Sequence, residues 1–218
     1  MEKSKAEVLR YLGRRNQEVS PQLDSLIEEC MLLMGEAAAP RHVRKTFGIQ
    51  LRSDGIQVEN SGLLLCGEDI SRHLTGCGSV VLLAATLSVP ADNLIRRWEN
   101  ADLTRSLVLD ACAGQLIEQY LDEIEAQICH EAGETGLTVT SRFSPGYGDL
   151  PLDIQPKLLA VLDAGKKIGL TCTESLILLP RKSVTAILGL GKGVHDKPEG
   201  CEGCLLNKTC AFRKGENI

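Results

Sequence analysis

Apolar residues recur at spacings of three and four over residues 4–12, where Val8, Leu9 and Leu12 share one face. That spacing predicts an amphipathic helix. A second stripe, Leu23, Leu26, Ile27, Cys30 and Leu33, runs over residues 22–34, opened by Ser20-Pro21 and followed by Gly35. Ser and Pro suit a helix start, and Gly a helix end. The period then changes to two. Residues 42–52 and the following "GIQVEN" alternate around Ser53-Asp54-Gly55, which predicts a two-stranded hairpin. "GLLLCGEDISRHL" begins apolar and turns helical after Gly67, and "GSVVLLAATLSV" reads as a buried strand, β-branched at its start.

Residues 90–131 return to helical spacing, with Pro90 suited to a first turn and Ala101-Asp102 marking a break or a new N-cap. Leu107, Ala111, Gly114, Ile117, Leu121, Ile124 and Ile128 form a long apolar stripe, ended by Gly133 and Gly136. "LTVTSRF" is a further strand, residues 154–165 a helix ending near Gly165, and "VTAILGLG" a last strand. Strands and helices do not alternate regularly. The expected fold is therefore α+β, a mixed and mostly antiparallel sheet flanked by helices. The expected division is one domain over residues 1–198 and a short Cys-rich tail over 199–218, a compositional island reading "GCEGCLLNKTCAFRKGEN".

Composition narrows the function. A chain of 218 residues with 43% hydrophobic and 24% charged residues can bury a real core. Its net charge of −5 and its seven aromatic residues argue against a nucleic-acid partner, which needs a basic patch and rings for stacking. The charged start "MEKSKAEVLRYLG" does not read as a signal peptide, and the longest apolar runs are too short for a bilayer. A cytoplasmic protein with no membrane partner is expected, with most of its nine cysteines free thiols.

Three features carry chemistry. In "SRFSPGYGDLPLDIQPKLLAVL", Arg142 offers a bidentate fork for a carboxylate, Gly146 and Gly148 allow close backbone approach, and Tyr147 offers a flat face and a hydroxyl. The same stretch also reads as a plain strand-to-helix turn with a surface arginine. Glu118 follows Gly114 by one turn on the same helix face, so the missing side chain leaves room above the carboxylate; an ordinary boundary glutamate fits too. Cys201, Cys204 and Cys210 have the spacing of a metal-binding loop, with Gly200 and Gly203 for the turns. Zinc or an iron–sulfur cluster suits them, with a fourth ligand from elsewhere; three free thiols on a tail is the other reading. No phosphate loop or nucleophilic triad is present, and His42, His73, His130 and His195 show no ligand spacing.

The segment from Arg142 to Leu190 resembles the activation domain of cobalamin-dependent methionine synthase, in particular its free-standing versions. Arg-x-x-x-Gly-Tyr, Leu-Thr-x-Thr-Glu-Ser and Pro-x-x-Ser-Val occur in the same order and spacing. The likeness is good over residues 103–191, weaker over 1–102 and absent from the cysteine tail. The resemblance implies S-adenosylmethionine as ligand, with Arg142, Ser144 and Tyr147 lining its pocket, Ser144 mainly through its backbone. The family's helix glutamate falls on Glu118. The family's aspartate has only Asp24 in its region. The implied chemistry is methyl transfer to a corrinoid whose cobalt has slipped to the inactive Co(II) state. One electron and the sulfonium methyl restore methyl-cobalt, so no general base is needed. The implied partners are a corrinoid protein or a methionine synthase core carrying cobalamin, and an electron-donor protein. Two other readings stay open: a binding module without methyl transfer, and a redox partner whose cysteine tail carries the electron.

Overall fold

The computed structural model describes residues 2–14 and 18–194. Two helices open the chain, α1 (Glu2–Tyr11) and α2 (Pro21–Ala37). Ser20 caps α2 as its pattern implies, its Oγ accepting the Leu23 N–H at 3.3 Å with Pro21 in the first turn. The hairpin β1 (Arg41–Arg52) and β2 (Gly55–Val58) closes with Arg52 opposite Gly55, and β3 (Leu63–Leu65) pairs with β2. Then come α3 (Glu68–His73), β4 (Cys77–Thr86), α4 (Ser88–Glu99) and the long α5 (Leu103–Glu134). The break between α4 and α5 falls at Asp102, whose carboxylate accepts the Arg105 N–H at 3.0 Å. The rest comprises β5 (Thr138–Val139), a 3-10 turn at Leu152–Ile154, α6 (Gln155–Leu162), α7 (Ala164–Ile168), β6 (Thr171–Cys172), β7 (Leu178–Leu179) and β8 (Ser183–Gly191).

The main sheet has the order β3-β2-β1-β4-β8-β5 and is antiparallel at every pairing; β6 and β7 form a separate small hairpin. Strand β4 lies at its centre and is buried on both faces, which is why it reads as a continuous apolar run rather than an alternation. Its side chains still divide by the period of two. Val81, Leu83 and Ala85 join a core built with α1, α2, α4 and α5. Val80, Leu82 and Ala84 join a second core with β2, β3, α3, α6 and α7. The α+β expectation holds, and the sheet lies between two helical layers. Among the described residues no helix is long and apolar enough to cross a membrane.

Four details depart from the sequence pattern. The helix expected over 154–165 is split, because Asp163 adopts a left-handed conformation (φ 56°) between α6 and α7. Aspartate tolerates that region better than most residues. The strand expected in "LTVTSRF" covers two residues. At Thr140 the N–H still bonds the Gly189 carbonyl (2.9 Å), but the side-chain oxygen takes the Gly189 N–H (2.8 Å), and the next backbone pairing is the bridge between Phe143 and Ile187. Leu107 is exposed; the start of α5 instead buries Ser106, Val108, Leu109, Cys112 and Ala113 beside α2 and α4. The β6–β7 hairpin has no signature in the sequence, because two-residue strands show no alternation.

Candidate functional site

Helix α5 lies over the sheet on Ile117, Leu121, Ile124 and Ile128. At about 100° per residue, Glu118, Asp122 and Glu125 fall together on one flank of that stripe, and Tyr120 and Glu131 on the other. Each flank meets the sheet through a polar contact. On one side His42 Nδ1 and the Tyr120 hydroxyl lie 2.7 Å apart, and Arg44 forks onto Glu131 at 2.8 and 2.6 Å. On the other side Arg142 reaches over from the chain after β5. Its Nη2 donates to Asp122 Oδ1 at 2.8 Å and lies 3.4 Å from Glu118 Oε2, while Nε lies 3.1 Å from Glu125 Oε2. The guanidinium is mostly buried, with 21% of its side chain exposed, and its Nη1 is buried without a hydrogen-bond partner. Three carboxylates around one guanidinium leave a formal excess of two negative charges. That charge balance favours a cation nearby, and Nη1 is a buried donor left unsatisfied within the protein.

Phe143 turns the other way. Its backbone bonds Ile187 in both directions, and its ring packs in the second core with His73 at a centroid distance of 5.0 Å. Tyr147 lies 6.2 Å from Phe143, on that side of the sheet edge, and is 62% exposed. Between them the chain makes a tight loop. The Ser144 carbonyl accepts the Tyr147 N–H at 3.0 Å, the Tyr147 carbonyl accepts the Leu150 N–H at 3.0 Å, and the Gly146 N–H donates to the Leu150 carbonyl at 2.9 Å.

This loop is clamped to α3 across some eighty positions of sequence. The Asp149 carboxylate accepts the N–H groups of Glu68 (2.6 Å) and Asp69 (3.1 Å). It thus supplies the N-terminal cap that Gly67, having no side chain, does not. Both glycines at the clamp are required. Gly67 (φ 138°) and Gly148 (φ 52°) have positive φ, and a Cβ on either would run into a carboxylate oxygen, of Asp149 and Asp69 respectively.

Of the residues singled out from sequence, the structure brings Arg142 and Glu118 together. Ser144 and Tyr147 lie on the adjoining loop, with the Tyr147 ring on the Phe143 side rather than beside α5. The space expected above Gly114 is filled: the Tyr11 ring stands 3.9 Å from where a Cβ would be. Tyr11 also lies under Arg10, 4.4 Å from its ring centre, and burial, then the Glu118 charge, raises its pKa. Asp24 pairs with Lys5 at 2.6 Å. Asp122 and Glu125 were not singled out, although their i+4 and i+7 spacing from Glu118 was there to read. What was missing was a partner, which only the tertiary fold supplies. Cys201, Cys204 and Cys210 lie outside the described residues. Among the described residues no group of three His, Cys, Asp or Glu side chains is placed to hold a metal ion.

An α+β sheet between helical layers, with an arginine seated in a carboxylate cradle at its edge, is the class of protein that fold and site define. No protein-family model matches the chain, and no curated protein matches it. Among solved structures it is similar to the MetH reactivation domain bound to AdoHcy, with a TM-score of 0.65 over 88% of this chain and 76% of that one. The two share 14% of their residues, so the likeness is one of fold.

Proposed function

We propose that this chain binds S-adenosylmethionine beside Arg142 and supports the reductive re-methylation of an inactive corrinoid carried by a partner, a methionine synthase core or another corrinoid protein. The observation that carries the reading is the Arg142 cradle on a fold similar to a reactivation domain solved with AdoHcy. The donors fit the ligand. The excess negative charge on α5 suits a sulfonium and an ammonium, and the buried, unpartnered Nη1 suits a carboxylate. When bound, S-adenosylmethionine supplies the methyl group, and the partner's corrinoid receives it after taking one electron from a donor protein. This chain's own residues bind and orient. Arg142 fixes the amino-acid end and Glu118 places negative charge near the cation, while the exposed stretch Gly146–Gly148, on the Phe143 side of the sheet edge, gives a partner room to approach.

Calorimetric titration tests this reading. The parent protein should bind S-adenosylmethionine. Arg142→Ala, with its fold checked by circular dichroism, should lose about 1.5–3 kcal/mol, about ten- to a hundredfold in affinity. Arg142→Lys should also weaken binding, because an ammonium cannot make the fork. Equal binding by parent and Arg142→Ala would refute the assignment.

A second reading concerns residues 199–218, read as a separate tail in which Cys201, Cys204 and Cys210 hold zinc or an iron–sulfur cluster. It is supported by the spacing of the three cysteines and the two glycines beside them. An iron–sulfur cluster would make the tail the route of the electron; zinc would make it a clip.

A further inference from the structure

The sequence pattern leaves the Arg142 fork free for a ligand, but the folded chain has already given it an anion. A guanidinium offers a carboxylate two edges, Nε with Nη2 or Nη1 with Nη2. Glu125 holds Nε at 3.1 Å and is the least exposed of the three acids, at 25%. An incoming carboxylate is thereby directed to Nη1 and Nη2. Nη1 is unpartnered but out of reach of solvent, so it can donate to a ligand only after a neighbouring group has moved aside. Nη2 is taken. Glu118 lies 3.4 Å from it, and Asp122 holds it at 2.8 Å with 70% of its side chain exposed. Of the three acids Asp122 loses least on release, because water already solvates most of it.

We propose that Asp122 acts as an internal stand-in for the ligand's carboxylate, occupying Nη2 in the free protein and leaving it when the ligand binds. The inference rests on the ligand reading above and goes beyond it. It names a residue that sets affinity by competition rather than by contact. It also sets specificity. A ligand must bring an anion good enough to displace Asp122, and the displaced charge, together with Glu118 and Glu125, disfavours a ligand carrying more than one negative charge.

Two probes separate this from a contact role: S-adenosylhomocysteine, a zwitterion with the carboxylate, and 5′-methylthioadenosine, which lacks the amino-acid end. Asp122→Asn keeps the shape and removes the competing charge. It should bind S-adenosylhomocysteine about two- to fivefold more tightly than the parent, the range expected for losing one exposed ion pair. Its affinity for 5′-methylthioadenosine should not change, and Asp122→Glu, which restores a competitor, should return to parent affinity. If the parent binds S-adenosylhomocysteine and Asp122→Asn binds it equally or more weakly, the competition is refuted while the ligand reading stands. A gain for both probes would mean a general loosening of the site, and also refutes it. Failure of every variant to bind S-adenosylhomocysteine or S-adenosylmethionine would remove the ligand reading and this inference together.

Discussion

Asp149 makes the sharpest test of how the site is held. Replacing it by alanine removes the acceptor for two backbone N–H groups at the start of α3, and Gly67 has nothing to offer in its place. Loss of an N-terminal cap costs about 0.5–2 kcal/mol. With two bonds to one carboxylate, the upper part of that range applies, about 1–2 kcal/mol, and the exposed position excludes a large burial penalty. For a chain of this size each kcal/mol moves the melting temperature by about 2–4 °C, so Asp149→Ala should melt about 2–8 °C below the parent. Asp149→Asn retains one acceptor oxygen and should fall between them. Scanning calorimetry gives the shift, and hydrogen exchange locates it, since the Glu68 and Asp69 amides should lose protection in the alanine variant. A melting temperature within about 1 °C of the parent, with unchanged exchange at those two amides, would mean the clamp contributes nothing in solution.

Glu118→Gln should weaken S-adenosylmethionine more than S-adenosylhomocysteine, because the carboxylate favours the cationic sulfonium; equal losses would show that it does not sense that charge. Burial, and after it the Arg44 guanidinium, lowers the His42 pKa below its ordinary 6.5. The unfolded chain then binds the proton more readily, so this stability is complete above about pH 6.5 and is lost as the pH falls through the lowered folded value. Melting curves of His42→Gln should therefore fall less steeply with acid than the parent's, and parallel slopes would place the proton elsewhere. Removing residues 200–218 should abolish bound zinc or iron yet leave melting and S-adenosylmethionine binding largely unchanged. Finding neither metal in the 218-residue chain purified without oxygen would leave the cysteines as thiols.

The helices and the central strands were legible because each carries its own period or cap. Ser20-Pro21 and Asp102 announce helix starts through local bonds, and β4 announces double burial through an unbroken apolar run. The site was legible only in part. Arg142 and Glu118 stand out as residue types in suggestive places, but the cradle requires α5 and the chain after β5 to pack side by side, which no local pattern encodes. Tyr11 over Gly114 shows the same limit: a glycine on a helix face predicts space, and the fold decides what fills it. Thr140 shows the converse, a short polar side chain that ends a strand by taking a backbone donor for itself.

The chain between Thr140 and Leu150 serves two masters. Its backbone covers the outer edge of β8 and its Asp149 starts α3, while one side chain, Arg142, faces the acids of α5. Sheet pairing and the contact with α5 are thus made by different atoms of the same segment. If Arg142 and its acids do bind the proposed ligand, they can be exchanged for another chemistry without giving up the sheet edge. Loss of the loop itself would uncover the bonding edge of a core strand, an invitation to pair with a neighbouring molecule.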